Sequence, residues 1–348
     1  MLSDFIKVHK TEYVNQVITE LPDVSLEDLC INKNITWDII LQNPNKKWGY
    51  RYKMANPNIT WDIIKNYNMT DSDWYVVSNN RNIIWDNIKD HSAKPWNWSA
   101  LSKHKNITWD IIINNLNLQW NWDRVSQNPN ITWEIIKNNL DKPWNWGNLS
   151  CHPNITLDII LNNPDKEWDW VMVCYNPNLK WIDVQKIYNK DLYFLAISRH
   201  KNITWDIIIN NLDKPWKWYG VSQNPNITWD IIKNNLDKKW NWDAISYHPN
   251  ITWDIIKDNL SAPWRWDYIT HNKNISWDII SKNPSAPWNY DMLKYNEGLF
   301  TYPQELLCQN IKRYFAAKTI YKYWFRSNTN PEYMICRKRL KAELNELL

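Results

Sequence analysis

The sequence predicts an all-α fold, a right-handed α-solenoid of eleven 24-residue helix–short-helix repeats with terminal caps. Two observations carry this. Twenty-seven of the 28 Trp residues fall at three phases of one 24-residue period, and only Trp324 lies outside. Each period also carries a helix-start signal followed by apolar residues at helical spacing. Self-similarity at a short fixed period marks an array in which each unit buries its apolar face on its neighbours. Such a chain presents a long surface rather than enclosing a catalytic pocket, and a stiff, elongated rod is the expected shape.

Residues 1–30 form an N-terminal capping, degenerate repeat, because Tyr13 precedes Trp37 by one period and Val24, Leu26 and Leu29 match the apolar phases of a second half-repeat. Residues 31–295 hold the Trp-rich solenoid. Within it the first Trp phase runs from Trp37 to Trp277, with Leu157 filling one gap. The second phase is Trp48, Trp96, Trp120, Trp144, Trp168, Trp216, Trp240, Trp264 and Trp288, and the third, two residues further on, runs from Trp74 to Trp266 with Tyr50, Phe194 and Tyr290 as stand-ins. Residues 296–348 form a C-terminal cap and basic helical tail, beginning with the closing segment Leu299 to Leu307.

The stretch Val221 to Trp242 shows the unit well. Thr228 is a natural N-cap, and Asp230 suits the positive end of the helix dipole. Ile232 and Leu236 fall on the Trp229 face, giving a helix of about two turns that ends near Asn235. Asn241 caps a second, shorter helix, either one α turn or a 3₁₀ turn, with Trp242, Ile245 and Ser246 on one face. Small Ser at 78, 102, 126, 150, 198, 222 and 246 lets neighbouring layers approach closely.

Asn is abundant and Gly scarce, 50 against 4. Asn is the next-best residue for left-handed backbone, so it is expected to do the turn work of Gly. One Asn stands three residues before each leading Trp, including Asn106, Asn130, Asn202, Asn226 and Asn250 ahead of Trp109, Trp133, Trp205, Trp229 and Trp253. An Asx-type turn accounts for it, and a ladder of amides bonding from unit to unit is the alternative. His104, His152, His200 and His248 alternate with Asn at one repeat position, 48 residues apart. Two layers separate them by roughly 16–20 Å, too far to share a metal ion. Cys30, Cys151, Cys174, Cys308 and Cys336 show no CxxC pairing and suit a reducing compartment.

The pattern resembles the leucine-rich repeat variant family, whose 24-residue units alternate an α-helix with a 3₁₀ helix. The shared residues are the Asn-Pro-Asn turns (Asn128-Pro129-Asn130, Asn224-Pro225-Asn226), the apolar pair Ile231-Ile232 and the Val-Ser steps Val125-Ser126 and Val221-Ser222. Where that family has Pro-Pro and an Arg-bearing second helix, this chain has Thr-Trp and Trp-x-Trp. The Trp-rich version is also similar to repeat proteins of giant DNA viruses. The resemblance covers roughly residues 13–300 and implies architecture, not activity.

Function is expected to be non-enzymatic: a viral repeat scaffold that binds a protein partner, as a monomer or weakly self-associating, without cofactor or metal. No Gly-rich phosphate loop, GxSxG, HExxH or triad stands in the chain. Most Trp should be core, since burying one removes about 150–250 Å² of surface, roughly 4–6 kcal/mol gross at about 25 cal/mol per Å². The Pro-Trp subset, Trp96, Trp144, Trp216 and Trp264, is the candidate for an exposed row of aromatic platforms. Residues 311–348 carry nine Lys/Arg against three Glu, while the rest is slightly acidic, so nucleic acid is possible only through the tail. There Arg337, Lys338 and Arg339 are candidate contacts, with an IQ-like target, a nuclear-import signal or a helical hairpin packed on the last repeat as the readings. A structural component of a virus particle, and carbohydrate or nucleic-acid binding through exposed Trp and the tail, are the alternatives. The start lacks the apolar core of a signal peptide and no run approaches a membrane span, which points to an intracellular location, host cytoplasm or virion.

Overall fold

A computed structural model describes residues 2–21, 29–49, 54–66, 69–189 and 192–328, and every regular element in them is helical. None of those helices is long and apolar enough to cross a membrane. Local chemistry sets the unit. The Thr228 hydroxyl accepts from the Ile231 amide at 3.4 Å, opening a five-residue helix, Trp229–Lys233. The Asn241 side chain accepts from Ala244 at 2.8 Å and opens the second, Trp242–Ser246. Most second helices are α, while that of the last repeat, Tyr290–Tyr295, is 3₁₀. Five residues are fewer than the two turns expected, so Leu236 lies beyond the helix and escapes its periodicity. It is 64% exposed, with Leu260 equally so, rather than buried beside Trp229.

The end of each first helix is finished by side chains. Asn235 donates its amide to the Ile231 carbonyl at 2.8 Å, satisfying an orphan acceptor. Its own carbonyl then receives the indole N–H of Trp240 at 2.7 Å. The same bond recurs at every second-phase Trp, so an amphipathic indole is buried with its one donor satisfied. Among the described residues no backbone is left-handed. The expectation that Asn supplies left-handed turns therefore fails; its side-chain amide is what the turns use.

We number layers by their loop residue, from layer 1 at Asn32 through layer 2 at Asn56 to layer 12 at Asn296. Second-phase indoles fill the space between first helices. Trp264 of layer 10 lies against Trp229 (5.3 Å between ring centres) and edge-on to Trp242 (5.4 Å), both of layer 9. Trp144 sits likewise between Trp109 and Trp122, and Trp288 between Trp253 and Trp266. Between second helices the spacer is a hydroxyl. Ser222 donates to the Trp218 carbonyl of its own helix at 2.8 Å and accepts the Asn241 amide of the next layer at 2.8 Å. The bond repeats from Ser102, Ser126, Ser150, Ser198 and Ser246, and Cys174 and Thr270 continue it. Successive second helices consequently pack close while successive first helices stand further apart. Each layer is a wedge with its thin edge at the second helix.

Wedges of one sense curve the array, and the curvature closes. Asn32 of layer 1 donates to the Glu297 carbonyl of layer 12 at 3.1 Å, nearly the register that consecutive layers use. The expected rod is therefore a ring of twelve layers, turning about 30° at each. The twelfth layer is composite. Its loop, from Asn296, comes from the end of the array; its first helix is the N-terminal helix Leu2–Glu20, and its second is the 3₁₀ turn Leu29–Ile31. Asn15 bonds both Gln42 (2.6 Å) and Asn43 (2.8 Å) of layer 1. On the other side Trp277 of layer 11 donates its indole N–H to Glu20 at 2.7 Å. That bond, with one from Gln16, holds the Glu20 carboxyl below its ordinary range. The C-terminal helix, Gln304–Asn328, packs over the N-terminal one, with Tyr13 against Tyr302 and Phe5 against Tyr314. The ends thus clasp each other instead of capping the array against solvent.

Gly298 marks the closure. It replaces the repeat Asn, and a Cβ there would stand 1.9 Å from the Lys273 carbonyl oxygen. Gly298→Ala is expected to push the closing loop off layer 11 and destabilise the ring by about 1–3 kcal/mol. Amide exchange should then quicken in Leu2–Glu20 and in residues 296–307 while layers 4–9 keep their protection. Unchanged exchange at the N-terminal helix would refute this account of closure.

Candidate partner-binding wall

The loop edge of the ring is a continuous hydrogen-bond ladder. The repeat Asn bonds between layers, so the ladder alternative describes it. Asn106 donates to the carbonyls of Arg81 (3.0 Å) and Ile83 (2.7 Å) in the preceding layer. Asn130, Asn202, Asn226 and Asn250 each make the same pair with the layer that precedes them. The Asx-type turn is made two residues earlier, where Asn128 accepts the Asn130 amide at 2.9 Å and donates back to Ser102, His104 and Ile107 carbonyls.

The alternating His residues occupy that same buried site and imitate the amide. His104 accepts the Asn106 backbone N–H at Nδ1 (3.2 Å), and its Nε2 meets the Asn80 carbonyl at 3.1 Å. A backbone N–H can only donate and a carbonyl can only accept. The ring is therefore neutral with its proton on Nε2. His152, His200 and His248 are bound the same way, so both nitrogens of each are committed to the backbone. Burial lowers all four pKa values from 6.5.

The sign of the pH dependence follows. Unfolded imidazoles take protons near 6.5 while the folded ones resist, so unfolding takes up protons and low pH favours it. The stability these residues contribute is full above 6.5 and falls as pH drops below it towards the lowered folded values. The quadruple variant H104N/H152N/H200N/H248N, which carries the residue that alternate layers already use, is expected to lose most of the destabilisation between neutrality and about pH 5. Denaturant melts at several pH values measure it; parallel profiles for the two proteins would refute it.

The proposed aromatic platforms are not on the surface. Trp96, Trp144, Trp216 and Trp264 are 6–8% exposed, each wedged between two aromatic rings of the preceding layer. The Pro before each ends the turn, but the wedge needs the indole inside. The leading residues Trp109, Trp133, Trp205, Trp229 and Trp253 are half-buried against the core. Arg337, Lys338 and Arg339 lie outside the described residues.

Among the aromatic residues that reach solvent is a set of tyrosines on or beside the second helices, on the thin-edge side and so on the inner wall of the ring. Layers 6 to 11 each contribute at least one, Tyr175, Tyr193, Tyr219, Tyr247, Tyr268 and Tyr295, and Tyr75 of layer 2, 63% exposed, shares the repeat position of Tyr219. Four of the six in layers 6 to 11 are between 38% and 53% exposed. Neighbours reinforce one another. Tyr175 and Tyr193 lie 6.0 Å apart, and the Arg199 guanidinium stands 5.1 Å over Tyr175. His271 contacts both Tyr247 (4.8 Å) and Tyr268 (5.5 Å), while its Nδ1 donates to the Asp267 carbonyl at 2.7 Å. The Lys294 ammonium lies 5.0 Å over Tyr295. In layers 4 and 5 the wall is polar and self-satisfied: Arg124 bonds Gln127, Gln127 bonds Asn148, and Asn148 bonds the Asp123 carbonyl.

The reading from Trp missed these tyrosines, although a signal was available. Tyr175, Tyr247 and Tyr295 share one repeat position without a consensus residue and Tyr268 occupies another, while Tyr193 takes the cap position of Asn241. Tyr gives broad, amphipathic contact with few rotatable bonds, which suits recognition. Among the described residues no three His, Cys, Asp or Glu are grouped to hold a metal ion. Compared with known protein families, with curated proteins and with solved structures, the chain matches none.

Proposed function

We propose that this protein is a non-enzymatic ring scaffold that holds a protein partner against the tyrosine-bearing inner wall of layers 6 to 11. One observation carries the reading: six successive layers each place a Tyr on or beside that wall, four of them between 38% and 53% exposed. Aromatic residues and Arg dominate the energetics of protein recognition, and both stand here beside polar groups able to complete hydrogen bonds. The polar part of the same wall is already bonded to itself, so it supplies a rim. On sequence resemblance alone we place the chain among viral repeat proteins.

The test uses the full chain with a photo-crosslinking residue at 219 or 247 on the wall, or at 137 or 233 on the first helices. A single partner captured in stoichiometric amount from the wall positions only is expected. The variant Y219A/Y247A/Y295A should weaken that complex by about 10- to 100-fold, in line with the loss of central aromatic contacts. Its melting temperature should hardly move, because surface changes usually cost under about 0.5 kcal/mol. Equal capture from the first helices, or a complex indifferent to the three substitutions, would count against the wall as the binding surface.

A further inference from the structure

The composite twelfth layer makes a cavity of about 540 Å³ between the N-terminal helix, the first repeat and the closing segment that follows Leu299. Three lysines line it: Lys7 and Lys10, one turn apart on the N-terminal helix, and Lys33 in the loop of layer 1. The hydroxyls of Thr11, Thr36 and Thr301 join them, and among the described residues no Asp or Glu is part of the lining. Buried Val14, Ile39 and Phe300 form an apolar floor.

Many lysines elsewhere on the ring are paired with a carboxylate. Along the opposite edge Lys142, Lys166, Lys214 and Lys238 each hold the neighbouring Asp at 2.7–2.8 Å. On the first helices Lys65, Lys137, Lys233 and Lys257 pair with a carboxylate three residues back. Among the described residues none of Lys7, Lys10 and Lys33 has a carboxylate within 4.0 Å, although Asp4 is close enough to Lys7 to feel its charge. Three lysines around one cavity give it a positive potential that favours a bound anion. Ammonium and hydroxyl groups are donors towards phosphate oxygens, and Lys binds phosphate as a point charge.

We propose that this cavity binds a small phosphate-bearing anion. Because Lys7 and Lys10 belong to one end of the chain, Thr301 to the other and Lys33 to the first repeat, the bound anion also fastens the ring at its seam. The site exists only in the closed ring, which makes ligand and closure thermodynamically linked. It is independent of the tyrosine wall.

The experiment is calorimetric titration of the full chain with inorganic tripolyphosphate, beside sedimentation with phosphatidylcholine vesicles containing phosphatidic acid. One saturable site for tripolyphosphate is expected. Affinity should fall about tenfold in K10A and in K33A, be lost in K7A/K10A/K33A, and stay unchanged in K142A/K166A, whose lysines lie elsewhere. Should the triple variant lose its fold by circular dichroism, the single variants still decide. Tripolyphosphate should also slow amide exchange in Leu2–Glu20 of the native chain and leave the middle layers alone. No saturable binding, equal binding by K10A and K33A, or binding to the vesicles alone would each overturn the proposal.

Discussion

The unequal thickness of each layer is the constraint on which this molecule depends. Indole rings separate the first helices, while a single Ser hydroxyl bridges the second helices to the backbone of the next layer. An indole between second helices would force them apart and break the hydroxyl bridge. The wedge therefore follows from two side-chain volumes that recur in most repeats, Ser72 and Leu192 standing where the others have the indole and Met54 where most have the small bridging residue. Its sense is the same in every layer, so curvature accumulates instead of averaging out.

Accumulated curvature explains the termini. An open solenoid must cover two raw end faces with polar caps. Here each end face finds the other, and the helix Leu2–Glu20 fills the gap that the repeats leave. Layer 12 is assembled from both ends of the chain, which makes its contacts the longest-range ones in the molecule. Interior layers can form from local contacts, but this layer needs the whole array in place. Its formation pays the largest loop-closure entropy in the fold. The cavity at the seam is a consequence, because the composite layer reproduces the repeat's backbone register without its side-chain complement.

The loop edge shows how different residues meet one physical demand. Asn and neutral His share a geometry in which one acceptor meets the N–H two residues on and one donor meets the carbonyl of the preceding layer. That equivalence lets the two alternate through eight layers without interrupting the ladder. It also accounts for the abundance of Asn, whose side-chain amide both donates and accepts where Gly offers only backbone freedom. Cys174 makes a similar exchange, carrying the Ser bridge with a thiol where the sequence diverges most.

What the chain spelled out by itself was the layer: its period, the caps at Thr228 and Asn241, the small residue at Ser222, and the helical class of the whole. These are local matters, set by spacing and by side chains within a few residues of the backbone they bond. Exposure was not legible in the same way, because Trp216 and Trp229 look alike in sequence while only their neighbours in adjacent layers decide which is enclosed. Leu236 misled for a related reason, since the helix ends at Lys233, three residues before it, and so turns that position to water. Closure lay furthest from view. Twelve equal angles sum to a full turn only when every wedge is stacked, and no single repeat contains that sum. The ring, its seam and its inner row of tyrosines therefore belong to the tertiary structure, because curvature is a property of the stack and not of the layer.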